Sequence, residues 1–198
     1  MKLFLKITTF ILLSLLSCKK SKTTKAETSD IEEKLVETKN LPDEKKVEAI
    51  KEYHREIDAQ QLGLESSIKK VDEGNFAETE IVVYRKDSLP VKIIRKEIFA
   101  HGTRNTLFYI KDKNLFYVKQ RISNEQSVDG PFIEEEFNYY FYDNEIIKVL
   151  RKQKEFATAD LIKMDTVPNV DITEEMNKDK SRIDEITSTY NKTLRIIE

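Results

Sequence analysis

The residues able to do chemistry in this chain are few and scattered. One thiol, Cys18, and two imidazoles, His54 and His101, are all that a nucleophilic or metal site could draw on besides carboxylates and hydroxyls. A zinc site needs three or four such ligands within reach of one another, and no HExxH-type spacing is present. Serine catalysis needs a base beside the hydroxyl. No GxSxG-type elbow is present, and His101, next to Gly102 in a stretch that reads as a turn, would need folding to bring a serine to it. Glu134-Glu135-Glu136 is a run of three acids in a strand-like segment. On a strand, Glu134 and Glu136 share a face with Cα atoms about 7 Å apart, and two carboxylates so placed can run acid–base chemistry on a sugar. The same spacing lets an exposed strand pair with Lys119, Arg121 or Lys148 on its neighbours, and this is the reading adopted. Asp143-Asn144-Glu145 offers too few oxygens for calcium and reads as a hairpin turn. The expectation is a chain with no catalytic residues, no metal and no cofactor.

Cys18 stands in a different context. Lys2 and Lys6 precede a mostly apolar run over residues 7–16, too short to span a bilayer, and Leu15-Leu16-Ser17 leads directly into the cysteine. This arrangement resembles the lipobox of bacterial lipoproteins, over residues 1–18 only. The resemblance implies cleavage before Cys18, a diacylglyceryl group on its sulfur and acylation of the new amino group. Leu16 departs slightly, since the family more often has a smaller residue there. A single acyl chain holds a protein to a membrane only marginally, at about 0.8 kcal/mol per buried CH₂, so two or three chains on one residue make release very slow. Lys19 is not the aspartate that the family links to inner-membrane retention, and no acidic run follows Cys18. The outer membrane, on its periplasmic side, is the expected location.

Composition narrows the partners. Loss of residues 1–17 removes Lys2 and Lys6 and no acid, moving the formal charge from −2 to −4. A near-neutral surface of mixed charge gives no basis for nucleic-acid binding. With the lone cysteine lipidated, no disulfide can contribute, and the core alone must supply stability. No internal repeat stands out.

The organisation expected is a signal peptide over 1–17, a flexible tether over 18–40 and one domain over 41–198. The tether is rich in Lys, Thr, Ser and Glu, buries too little to order itself, and as a coil would span about 25 Å. Residues 42–71 read as one helix. Pro42, Asp43 and Glu44 suit its first turn, and Val47, Ile50, Ile57, Leu64, Ile68 and Val71 make its stripe. With His54 and Gln61 the spacing also fits a coiled-coil seam with a partner chain, and both readings stay open. Gly63 marks a bend, and Gly74 a left-handed cap.

From residue 78 onward β-branched and aromatic residues alternate with turn-formers. Six strands are expected, over 78–86, 91–99, 106–111, 115–122, 132–142 and 145–151, joined as an antiparallel meander. A stretch with Leu161, Ile162, Met164 and Val167 should cross the core. A last helix, capped by Asp171 or Thr173, carries Met176, Ile183, Ile186, Tyr190, Leu194 and Ile197 as its stripe. The fold class is therefore α+β: a six-stranded meander flanked by two amphipathic helices.

Adjacent aromatics such as Phe108-Tyr109, Phe116-Tyr117 and Phe141-Tyr142 must point to opposite faces. The second face has to be covered or to bind something, which makes Tyr109, Tyr117, Tyr140 and Tyr142 the candidate binding face. The function expected is a lipid-anchored, non-enzymatic binding module whose partner is an envelope protein, a glycan or a small apolar ligand. A structural lipoprotein self-associating through 47–71, and a hydrolase with dispersed residues, stay open beside it.

Overall fold

Eight strands, each hydrogen-bonded antiparallel to the next, lie in the sheet in their order along the chain. The computed structural model describes residues 41–74, 78–125, 131–156 and 164–198, and residues 42–198 form one unit. The strands are β1 (Glu65–Val71), β2 (Glu78–Lys86), β3 (Leu89–Phe99), β4 (Gly102–Lys111), β5 (Asn114–Glu125), β6 (Phe132–Tyr142), β7 (Glu145–Phe156) and β8 (Val170–Asp171). Among the described residues three α-helices accompany them: α1 (Asp43–Gln60), α2 (Thr173–Lys178) and α3 (Ser181–Ile197). The α+β meander expected from the sequence is present, with eight strands in place of six.

The hairpins explain the register. Asp87-Ser88, Asp112-Lys113 and Asp143-Asn144 all have positive φ at both positions. That is the two-residue type I′ turn, whose twist matches the strands it joins. Each of the three is preceded by a register shift, after Tyr84, Tyr109 and Tyr140 respectively. The sequence thus repeats Tyr-x-x-Asp three times, at Tyr84/Asp87, Tyr109/Asp112 and Tyr140/Asp143. A short repeat is present after all, carried by the hairpins.

The largest departure lies in 42–71. The helix stops at Gln60, a 3-10 turn covers Gln61–Gly63, and Glu65–Val71 is an edge strand paired residue for residue with β2. Leu64 and Ile68 continue the helical spacing only by coincidence, because i and i+4 also share a strand face. A continuous seam over 47–71 does not exist. Gly74 is left-handed, at φ 71°, but it follows a strand rather than a helix. The last helix is two pieces separated at Asp179-Lys180. Asp171 prepares the first piece, its carboxylate accepting from the Thr173 amide and hydroxyl. Leu161 and Ile162 lie outside the described residues.

Both faces of the sheet are packed. On one, Phe108, Val118, Phe137, Tyr139 and Val149 are buried beneath Met176 of α2 and Ile186 and Tyr190 of α3. On the other, Tyr109, Tyr117 and Tyr140 are buried beneath Val47, Ile50 and Ile57 of α1. Ile50 is wholly buried, and a side chain of that size contributes about 2 kcal/mol by leaving water.

Gly102 opens β4 where the neighbouring strand comes close. A Cβ there would lie 2.1 Å from the Ser123 carbonyl oxygen, which is backbone and cannot turn aside, whereas at Gly63 nothing lies within 4 Å. Gly102→Ala should lower stability by about 2 kcal/mol or more in chemical denaturation. Gly63→Ala should be neutral or slightly stabilising.

Candidate functional site

α1 crosses the strands at their type I′ turn end, and its contacts report its course. Lys46 sits over the Tyr142 ring of β6. Tyr53 meets Phe116 of β5 edge-on and donates to the Ile110 carbonyl of β4. Asp58 accepts from Tyr109 of β4 at 2.9 Å and from Lys92 of β3 at 2.6 Å. Gln61, just beyond the helix, donates to Tyr84 of β2. The row beneath is Tyr84, Lys92, Tyr109, Tyr117, Tyr140 and Lys148, each opposite the next in register.

Lys92 is buried in this row. Its ammonium bonds Asp58 and Gln61 and lies over the rings of Tyr84 and Tyr109, 5.7 and 5.3 Å from their centroids. A buried charge persists only when it is paired in this way. Burial first, and then the Asp58 carboxylate, push the Tyr109 hydroxyl well above its ordinary pKa. The Tyr109 hydroxyl donates to both oxygens of Asp58, at 2.9 and 3.1 Å.

His54 stacks on Tyr117, with centroids 4.7 Å apart and planes 17° off parallel. It stands at the lip of a cavity of about 250 Å³ formed by His54 and Asp58 with Asn105, Leu107, Tyr109, Tyr117, Lys119 and Arg121. Past this cavity α1 no longer covers the sheet. Val82, Ile94 and Ile98 on the same face are only half-buried, as is Leu107, which lines the cavity and packs against the α1 cluster. On the β6–β7 side the face is covered again, where Met164 and Val167 pack with Phe156 and Lys152 donates to the Met164 carbonyl.

The residues singled out from sequence are distributed unevenly. Tyr109, Tyr117 and Tyr140 do share a face, yet they are buried under α1, and Tyr142 is half-buried at a turn. The apolar surface that α1 leaves less covered lies further along the strands, at residues that sequence reading missed. Alternation along β2, β3 and β4 would have placed Val82, Ile94 and Leu107 with the tyrosines; which row α1 covers was not legible. Glu134 and Glu136 are buried on the α1 face and ion-paired, Glu134 with Arg121 at 2.7 Å and Glu136 with Lys119 at 3.1 Å. Glu135 points to the other face and bonds Arg151. Lys148, named above as a partner for these acids, lies near Asp171 instead. Leu15, Leu16, Ser17 and Cys18 lie outside the described residues.

The α3 face holds a second polar group. Arg95 is buried between Glu73 at 2.6 Å and Glu97 at 2.9 Å, and Lys192 of α3 reaches Glu73 at 2.8 Å. The hydrogen bond from Arg95 holds the Glu73 carboxyl below the usual range. This cluster ties α3 to the sheet.

Among the described residues no group of His, Cys, Asp and Glu is placed to hold a metal ion, and no helix is long and apolar enough to cross a membrane. No family model matches the chain, and no significant match is found among curated proteins or solved structures.

Burial lowers the His54 pKa, with Asp58 acting in the opposite direction. Below the unfolded imidazole's pKa of about 6.5 the unfolded chain binds the proton more readily, so His54 should cost stability as pH falls from 6.5 toward 5. In denaturation series across this range, His54→Phe should show a shallower loss than the parent chain.

Proposed function

We propose that this protein is a lipid-anchored extracytoplasmic binding module, held to the bacterial envelope through Cys18 and engaging its partner across the sheet surface that α1 leaves open. The resemblance of residues 1–18 to a lipobox supports the anchor, and residues 19–40 serve as the tether. The observation that carries the binding surface is the row of half-buried apolar residues Val82, Ile94 and Leu107, opposite one another in register, running on from the His54 cavity. Contiguous apolar surface left accessible on a folded protein can mark an interaction site. Lys119 and Arg121 at its border already answer Glu136 and Glu134, so they frame the site without a surplus of charge. This suits an apolar contact from an envelope protein, a glycan or a small apolar ligand better than it suits a polyanion. No step of catalysis is assigned.

Cells grown with radiolabelled palmitate should yield a labelled chain, and Cys18→Ser should abolish the label. In pull-downs from solubilised membranes, Leu107→Asp and Ile94→Asp should each reduce recovery of the bound partner about tenfold or more, as expected when a buried contact loses its apolar character. A retained label on Cys18→Ser removes the anchor. Undiminished recovery with both aspartate variants, each still folded by circular dichroism, removes the surface.

A further inference from the structure

Among the described residues, no strand pairs with the outer edge of β1. β1 is the terminal strand, paired on one side with β2 and solvent-facing on the other, and six of its seven residues are exposed. Among the described residues, the two large apolar side chains of highest exposure, Leu62 at 103% and Ile68 at 67%, lie just before this strand and within it. Proteins commonly blunt such an edge with a bulge or with lysines standing outward. Here the β1–β2 register runs without a shift. Both lysines are drawn back onto their own molecule, Lys69 donating to the Ile196 carbonyl at the end of α3 and Lys70 to Glu78. The opposite edge differs, since β8 is only two residues long.

We propose that β1 pairs antiparallel with β1 of a second copy of this chain, about a two-fold axis at Ser67, so that two sheets join into one. The axis follows from the side chains. Opposed residues in an antiparallel pair share a face, so a two-fold axis perpendicular to the sheet must fall on a residue and not between two. An axis at Ser67 sets Glu65 opposite Lys69 of the second copy, twice, and Ser66 opposite Ile68, twice. An axis at Ile68 sets Glu65 against Val71, and one at Lys69 sets the two ammonium groups against each other. The Ser67 register alone among these three opposes unlike charges and no like ones, and cross-strand pairs of that kind stabilise a sheet. The dimer is independent of the reading of the α1 face, because its contacts use neither the His54 cavity nor Leu107 and Ile94.

The full-length chain carrying Cys18→Ser, so that an introduced thiol is the only one, provides the test. At the axis, Ser67→Cys faces its own twin, and mild oxidation should give a disulfide-linked dimer on a non-reducing gel. Ser66→Cys faces Ile68 and should crosslink far more slowly. In sedimentation, Glu65→Lys should weaken the dimer about tenfold, and Glu65→Lys combined with Lys69→Glu should restore it. Both positions are exposed; Lys69→Glu gives up its bond to the Ile196 carbonyl, so folding of each variant is checked by circular dichroism. A chain that stays monomeric at every concentration overturns the proposal, as does equal crosslinking at positions 66 and 67 or a charge swap that fails to restore association. Capture of another protein's extended segment at β1, with no self-pairing, overturns it as well.

Discussion

A sheet with phenylalanine and tyrosine side by side on its strands has two apolar faces, and each needs a cover. The geometry of the cover decides the rest of the molecule. An α-helix is about 10 Å wide, and a strand rises about 3.3 Å per residue, so a helix laid across strands shields about three residues of each. The central strands are 10 to 12 residues long. On one face α2 and α3 share the task. On the other, α1 covers the row next to the turns and the turn at Met164–Thr166 covers the β6–β7 side. What lies between is left half-open because one helix is too narrow for the strands beneath it.

The position of α1 is fixed by polar contacts as much as by apolar ones. Lys92 and Tyr109 both converge on Asp58, and His54 stacks on Tyr117. Sliding the helix along the strands would strand a buried ammonium without its carboxylate, which costs several kcal/mol. The Tyr-x-x-Asp repeat supplies the floor for these contacts. Each aspartate begins a tight turn, and each tyrosine sits at the register shift before it, a place where bulges re-aim side chains. Local turn chemistry thereby sets the row on which the helix rests. Arg95 with Glu73 and Lys192 does the corresponding work under α3.

Much of this was legible from the residues. Strands β2 and β6 fall where alternation and turn-formers put them, and Asp143-Asn144 turns as expected. The strand β1 was hidden because Leu64, Ile68 and Val71 extend the spacing of a true helix; Gly63 and the Ser66-Ser67 pair were the only signs against it. The break at Asp179-Lys180 carries neither glycine nor proline. The tyrosines announced two apolar faces, but burial depends on where a distant helix lands, and no local pattern encodes that. No local pattern marks Lys92 and Arg95 as buried. Their burial follows from partners on other elements: Lys92 donates to Asp58 and Gln61, 34 and 31 positions away, and Arg95 donates to Glu73, 22 positions away.

The account turns on whether the strip beside α1 is free on the isolated protein and occupied in the envelope. Maleimide labelling of Leu107→Cys in the full-length chain measures this directly, with Phe108→Cys, wholly buried on the other face, as the reference. The account predicts fast labelling of Leu107→Cys in the purified chain, clearly slower labelling in intact membranes, and slow labelling of Phe108→Cys in both. Leu107→Cys reacting equally fast in the two settings, or as slowly as Phe108→Cys once purified, would contradict it.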